Sequence, residues 1–266
     1  MATLLCFHAH PDDESISTAG TLLKASAAGH RTIVVFATRG ELGEVPDWLG
    51  ADETLADVRT REAEAACSVL NVDRVYWLGY RDSGVEDDPR NADPTTFHSA
   101  DLDEAAERLA TILRDEAVDV LTHYDEHGNY GHPDHIKVHH VGYRAAELAG
   151  TLVVFETTID RDVVLASMSA GAEEMPEGVE MPDPEEMNLG MPAERITTEV
   201  HVHEYAASKR HAMTQHRSQI GETSFFLNIP EDRFAEVFGV EWFIRRGGPL
   251  PPAPRENDLF AVLDNA

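Results

Sequence analysis

Two short motifs contain most of the side chains that could do chemistry. "HPDDE", residues 10 to 14, follows an apolar run, and "GHPDH", residues 131 to 135, lies far downstream. Both combine imidazole nitrogens with carboxylate oxygens, which suit a catalytic divalent metal such as zinc that keeps one open position. We therefore predict a metal-dependent hydrolytic site with His10, Asp13 and His135 as the three metal ligands.

The other polar residues of the motifs suit a general base and an oxyanion stabiliser. Asp12 and Asp13 are adjacent and cannot easily face the same point, so we assign Asp12 as the base that deprotonates a metal-activated water. We expect a charged His132 to stabilise the oxyanion of a tetrahedral intermediate, with Asp134 holding its imidazole in position. Tyr130 offers a hydroxyl to the same oxyanion.

A parallel sheet is the element expected to position these motifs, because β-rich runs alternate with helical segments. Strands are predicted near residues 3 to 9, 31 to 38, 73 to 79, 118 to 124 and 151 to 157. Helices are predicted over residues 16 to 28, 54 to 70, 101 to 115 and 135 to 149. This alternation predicts an α/β, Rossmann-like, doubly wound and mostly parallel sheet, with strand and helix additions at the C-terminus.

The strand order of such a sheet brings the two motifs together. In the common order 3-2-1-4-5, strands one and four are neighbours, and ligands bind at their carboxyl ends. We interpret residues 1 to 158 as the Rossmann-like catalytic core and residues 159 to 266 as an extension that completes the same domain. The extension carries a segment rich in Met, Glu and Pro, residues 167 to 195, which we predict to be a mobile acidic loop.

Composition excludes several classes of partner. The chain has 266 residues, is 42% hydrophobic and carries a net charge of −28, which disfavours binding to a nucleic-acid backbone. No apolar run reaches the roughly 18 residues that a membrane span needs. Cys6 and Cys67 suit two reduced, buried thiols. We expect a cytoplasmic protein without nucleic acid or membrane insertion, and homo-oligomerisation is left open.

The sequences "AHPDDES" and "GHPDH" together resemble the PIG-L/LmbE family of zinc-dependent de-N-acetylases, in particular its actinobacterial mycothiol-pathway deacetylases and amidases. The resemblance is strong over residues 2 to 158 and looser over residues 209 to 220 and 238 to 247. It implies the same metal ligands, base and oxyanion partners as above. It also implies that Arg59 and Asp82 contact the substrate sugar.

The family resemblance also implies a reaction and a cofactor. The reaction would remove an acetyl or other acyl group from a small N-acetylglucosaminyl-type amino sugar, with Zn²⁺ as cofactor and Fe²⁺ as the alternative in vivo. Asn129 departs from the glycine that the mycothiol-pathway enzymes usually have at this place, and this weakens any assignment of the sugar or amide.

Three alternatives remain open at this point. The first is an amidase acting on mycothiol-type S-conjugates. The second takes His8 and His10 as the HxH opening of a phosphoesterase or amidohydrolase barrel. The third is a binding protein that kept the metal and lost catalysis, against which the presence of Asp12 and His132 argues, because neither is needed to hold zinc.

Overall fold

A single mixed sheet forms the centre of the molecule. The computed structural model describes residues 1–151, 153–171, 189–221, 224–248 and 255–263. Within these ranges the strands are β1 (Thr3–His8), β2 (Arg31–Phe36), β3 (Arg74–Trp77), β4 (Val120–Tyr124), β5 (Val153–Thr158), β6 (Thr198–His201) and β7 (Val240–Arg245). Their order is β3-β2-β1-β4-β5-β7-β6, and only β7 runs antiparallel to its two neighbours. The predicted fold class is confirmed.

Helices connect the strands and cover both faces of the sheet. They are α1 (Asp13–Ser17), α2 (Ala19–Ala27), α3 (Leu55–Val69), α4 (Leu102–Asp115), α5 (Gly128–Gly131), α6 (Pro133–Ala149), α7 (Arg161–Gly171), α8 (Ala206–Met213), α9 (Phe225–Asn228) and α10 (Glu231–Phe238). The helix predicted over residues 16 to 28 is divided at Thr18, whose φ of −135° is not helical. Part of the predicted acidic loop is helical instead, since α7 extends to Gly171, and residues 172–188 of that prediction lie outside the described residues.

Alternate residues of β1 pack into two separate cores. Leu5 and Phe7 are fully buried in the core that α4 and α6 cover. Leu4 and Cys6 are fully buried on the opposite face, against residues of α2 and α3. This two-sided burial is expected of a strand in a parallel sheet covered by helices on both faces. Cys6 and Cys67 are free and buried.

The pairing of β1 with β4 places the two motif loops side by side. The strands are parallel, with Cys6 opposite Thr122, so both loops leave the same edge of the sheet. The sheet is open, and the barrel alternative is therefore wrong. His8 also does not face the loops, because its ring nitrogens lie 3.0 Å from the Tyr124 hydroxyl and 3.0 Å from Thr18 Oγ1.

A buried carboxylate joins the C-terminal strand to the helix that follows the first motif. Glu241, on β7, accepts hydrogen bonds from the backbone N–H groups of Gly20 and Thr21 at 2.9 and 2.8 Å. These are unpaired donors of the first turn of α2, where negative charge is favourable. Lys209 Nζ, from α8, lies 2.6 Å from the same carboxylate. No helix in the described part of the chain is long and apolar enough to cross a membrane.

We expect Lys209→Met to lower the free energy of unfolding by about 3 to 5 kcal/mol, because it leaves the Glu241 carboxylate buried without its cation. Lys209 and Glu241 are only 1% and 3% exposed. Arg233→Met is the control: Arg233 pairs with Glu236 at 2.9 Å, but both side chains are about two-thirds exposed. This control should cost less than about 0.5 kcal/mol. Urea denaturation measures the free energy of unfolding of both variants. An equal loss in the two would contradict a stabilising role of the buried Lys209–Glu241 pair.

Candidate functional site

A small cavity of about 190 Å³ opens at the carboxyl ends of β1 and β4. Most of the site residues predicted from sequence line it, and Asp134 and His135 lie behind its wall. The predicted residues that line it are His10, Asp12, Asp13, Arg59, Asp82, Tyr130 and His132. A larger cavity of about 550 Å³, between α6 and β7, has none of them in its lining.

His10, Asp13 and His135 bring three potential ligand atoms together. His10 Nδ1 lies 3.3 Å from His135 Nε2, and Asp13 Oδ2 lies 3.4 Å from His135 Nε2 and 3.8 Å from His10 Nδ1. Tetrahedral zinc, with bonds of roughly 2.0 to 2.2 Å, separates neighbouring ligand atoms by about 3.3 Å. The three atoms therefore form a triangle of the size of one face of a tetrahedral metal site.

The electrostatics of this triangle favour a cation. His10 Nε2 lies 3.2 Å from Asp134 Oδ2, so a proton on Nε2 leaves the Nδ1 lone pair facing His135. Burial lowers the pKa of His135 to about 3, so its neutral ring offers a second lone pair. Burial opposes charge on His10, but the hydrogen bond to Asp134 and the neighbouring carboxylates outweigh it and raise the pKa of His10 to about 9. Without a metal, Nδ1 therefore also carries a proton, in the place that a cation would take. The residues present fit a divalent metal.

Two further groups have ligand atoms close enough to share a cation. They are His10, His132 and His135, and His10, Asp82 and Asp134. In the second group the Asp134 carboxylate already accepts hydrogen bonds from Ser83 N at 3.0 Å and Ser83 Oγ at 2.5 Å. These bonds account for its burial without an ion. Around His10, the described residues thus provide a site that could hold a metal.

The role expected of Asp134 needs a correction. Its carboxylate contacts His10 Nε2 and Ser83, whereas only its backbone N–H reaches His132, donating to Nδ1 at 3.1 Å. Asp134 therefore orients His10 and fixes which of its nitrogens faces the metal position. Carboxylates that hold a ligand histidine in this way are common around protein metal sites.

His132 lies at the N-cap of α6, immediately before Pro133 at the first helical position. This sequence starts a helix well, because proline lacks the N–H that the first turn cannot pair. Since His132 Nδ1 accepts from Asp134 N, a neutral ring carries its proton on Nε2. Burial, followed by the charge of His10, lowers the pKa of His132 to about 4. Burial therefore favours a neutral ring that donates through Nε2, in contrast to the expected charged His132.

Asp12 has an unusual backbone conformation. Its φ is 109° and its ψ −32°, a region that non-glycine residues rarely adopt, and its side chain does not cap α1 although it occupies the N-cap. Instead, Asp12 Oδ2 accepts from Arg59 at 3.1 Å. Burial raises the pKa of Asp12 to about 6 against the opposing effect of Arg59. Such strain is typical of functional positions.

Arg59 and Asp82 line the cavity, but most of their polar atoms contact protein. The Arg59 guanidinium also donates to Gly40 O at 2.7 Å and to Pro11 O at 2.5 Å. A Cβ on Gly40 would come within 2.2 Å of Arg59, so the loop after β2 needs glycine there. The Asp82 carboxylate accepts from the backbone of Leu42 and Gly84. Their contact with substrate stays a prediction.

Tyr130 and Asn129 lie in the loop after β4. The Tyr130 hydroxyl is 3.3 Å from His135 Nε2, and the residue is 50% exposed at the mouth of the site. Asn129 has a φ of 65°, a left-handed conformation that asparagine tolerates better than most residues. Its departure from glycine is thereby explained by backbone geometry.

Three residues that hold site residues in position were not predicted from the sequence. Ser83 holds Asp134, Glu14 accepts from the backbone N–H of Asp12 at 3.0 Å, and His216 Nε2 lies 2.7 Å from Glu14 Oε1. Glu14 and His216 are both fully buried. The position of Glu14 directly after "HPDD" was the available signal. No pattern in the sequence links it to a residue 202 positions away.

Comparisons with known proteins agree with this geometry. A family model described as GlcNAc-PI de-N-acetylase, PIG-L, matches residues 5–146, more than half of the chain. The 1D-myo-inositol 2-acetamido-2-deoxy-alpha-D-glucopyranoside deacetylase of Acidothermus cellulolyticus is 40% identical, over 98% of this chain and 95% of that protein.

Solved structures share the fold at lower identity. The N,N'-diacetylchitobiose deacetylase of Pyrococcus horikoshii superposes with a TM-score of 0.59 at 23% identity, over 91% of this chain and 83% of that one. The 4-carboxy-2-hydroxymuconate hydratase GalB of Pseudomonas putida superposes with a TM-score of 0.61 at 17% identity, over 96% of this chain and all of that one. The fold therefore does not by itself fix the reaction. Family match and sequence identity together confirm the family predicted above: this chain belongs to the PIG-L family of de-N-acetylases.

Proposed function

We propose that this protein is a metal-dependent deacetylase that hydrolyses the acetamide of an N-acetylglucosaminyl compound linked to inositol. Water adds to the acetyl carbonyl carbon, the C–N bond breaks, and acetate and a free amine are released. One observation carries the proposal. The carboxylate of Asp12, whose backbone is strained, lies in the same 190 Å³ cavity as His10 and Asp13. The compound named for the relative from Acidothermus cellulolyticus supplies the substrate class.

The proposed metal ligands are His10 Nδ1, Asp13 Oδ2 and His135 Nε2, because the distances between these atoms are close to those of a tetrahedral face. Zinc, or iron(II) in the cell, supplies Lewis acidity there that polarises the acetyl carbonyl and acidifies water. Asp134 and Ser83 hold the His10 ring in the orientation that this requires.

Asp12 is the proposed general base. A pKa of about 6 leaves its carboxylate mostly ionised at neutral pH and still basic enough to accept a proton from water. The proton that Asp12 takes up is available for the departing amine nitrogen, so that one residue serves both proton transfers. Arg59 limits the rise in this pKa by placing positive charge 3.1 Å from the carboxylate.

His132 and Tyr130 are the proposed partners of the carbonyl oxygen as it gains negative charge. The Nε2–H of His132 is free to donate, because Nδ1 is occupied by the backbone N–H of Asp134. The Tyr130 hydroxyl is a second donor at the mouth of the same cavity. The N-terminus of α6 lies directly behind His132 and adds a favourable dipole for a developing anion.

The substrate sugar is proposed to lie against Arg59 and Asp82. Both side chains line the cavity beside His10 and Asp12. An amidase acting on mycothiol-type S-conjugates is the competing reaction, and the substrate panel below separates it from the deacetylase.

We expect Asp12→Ala to lower kcat by about 100- to 10,000-fold, because it removes the general base, while one metal per chain is retained. Asp87→Ala is the matched control, since Asp87 also has a positive φ, of 65°, but is exposed and does not line the cavity. Steady-state kinetics with metal analysis measures both variants. Hydrolysis by Asp12→Ala at the parent rate would show that the base is a different group.

Asp134→Asn should weaken metal binding by about 10- to 100-fold, because the ring of His10 loses the carboxylate that orients it. Competition with a chromophoric chelator gives the dissociation constant. The control is Asp101→Asn, which changes an aspartate whose carboxylate also accepts from a backbone N–H, at the start of α4. Metal affinity of Asp134→Asn equal to that of the parent would contradict the orienting role.

The proposed activity itself is tested by amine release from a panel of compounds. The panel contains 1D-myo-inositol 2-acetamido-2-deoxy-alpha-D-glucopyranoside, other N-acetylglucosaminides and a mycothiol S-conjugate. We expect release from the inositol compound to cease on chelation and to return with one equivalent of zinc per chain. Release only from the S-conjugate would replace the deacetylase by the amidase, and release that survives complete metal removal would contradict both.

A further inference from the structure

Glu14 is a buried carboxylate that no step of the proposed mechanism uses. It is 0% exposed, as is its partner His216. Its Oε2 accepts from the backbone N–H of Asp12 at 3.0 Å, and its Oε1 lies 2.7 Å from His216 Nε2 and 2.5 Å from Ser15 Oγ. A buried charge is costly unless it is fully hydrogen-bonded, so this group has a definite structural task.

The task follows from the backbone of Asp12. A φ of 109° at a residue with a Cβ is strained and persists only where neighbouring groups hold the backbone in place. Two groups do so here from different sides. Glu14 holds the N–H of Asp12, while Arg59 holds the preceding carbonyl, Pro11 O, and the Asp12 carboxylate.

His216 reaches this point from the C-terminal part of the chain. It follows α8, which packs against α1, and it lies 202 positions from Glu14. Burial opposes charge on His216, but the Glu14 carboxylate outweighs it and raises the pKa of His216. In either protonation state, Nε2 can donate a proton to Glu14 Oε1, whereas Nδ1 has no hydrogen-bond partner in the described structure. This bond fixes one oxygen of Glu14 and leaves the other aimed at Asp12.

We propose that Glu14 and His216 are positioning residues that hold the Asp12 carboxylate in its reactive orientation, with His216 acting through Glu14. The inference rests on the role of Asp12 in the proposed function. A residue of the C-terminal part of the chain thereby helps to position the general base, although His216 does not line the 190 Å³ cavity.

The first test is a set of single variants. Glu14→Ala should lower kcat by about 100-fold, the loss typical of a misplacement of about 1 Å, with KM within twofold of the parent and the metal retained. Glu14→Gln keeps an acceptor for the Asp12 N–H and should recover at least a tenth of the parent kcat. His216→Ala should lower kcat by about 10-fold. A purely structural role for Glu14 would not produce this rescue by glutamine together with an unchanged KM.

The second test is the double variant Glu14→Ala/His216→Ala. If His216 acts through Glu14, the double variant is no slower than Glu14→Ala alone. Multiplication of the two separate losses would contradict this coupling. Glu156→Ala controls for loss of a buried glutamate: Glu156 is 3% exposed on β5, outside the cavity lining, and its removal should leave kcat within threefold.

A structural readout separates this inference from the proposed function. Crystal structures of the parent and of Glu14→Ala should show φ of Asp12 leaving the region near 109° once Glu14 is absent. A parent that hydrolyses no N-acetyl compound while Asp12 relaxes in this way would overturn the proposed function and support the positioning. An unchanged Asp12 in Glu14→Ala, a loss of metal, or a kcat within threefold of the parent would overturn the positioning.

Discussion

Three potential ligand atoms are held within 3.8 Å of one another in a buried place: His10 Nδ1, Asp13 Oδ2 and His135 Nε2. Their lone pairs repel one another unless positive charge lies between them, either a proton on His10 Nδ1 or a bound cation. Much of the surrounding polar structure serves to hold them against this repulsion. Asp134, itself fixed by Ser83, prevents the ring of His10 from turning away. The start of α6 positions His135, because His132 and Pro133 define where that helix begins.

A second constraint is the backbone at Asp12, which must turn sharply so that neighbouring aspartates face different targets. Asp13 Oδ2 is directed toward His10 and His135, whereas the Asp12 carboxylate lies beside Arg59. The strain is local. Arg59 of α3 donates a hydrogen bond to the preceding carbonyl, and Glu14 of α1 accepts one from the Asp12 N–H.

The sequence was sufficient to predict the order of the five parallel strands and the position of both motif loops, because hydrophobic periodicity and strand order constrain them directly. The assignment of His10, Asp13 and His135 as metal ligands stays a prediction. It was insufficient for hydrogen bonds between distant segments. Asp134 was expected to hold the adjacent His132, yet its carboxylate bonds to His10, 124 positions away. The lowered pKa of His132 was also not predicted, since desolvation depends on burial that no local pattern reports. Asn129 stood out as a departure, although its positive φ makes it compatible with the loop.

The pairing of β1 with β4 has a consequence for the folding thermodynamics of this chain. His10 and His135 are 125 positions apart and meet only when both strands are in register. A cation bound between them therefore binds the native state and has little affinity for the unfolded chain, in which these groups are dispersed. Each tenfold excess of free metal over its dissociation constant then adds about 1.4 kcal/mol to the free energy of unfolding. Metal bound at the proposed site would thus stabilise the folded protein independently of its part in catalysis.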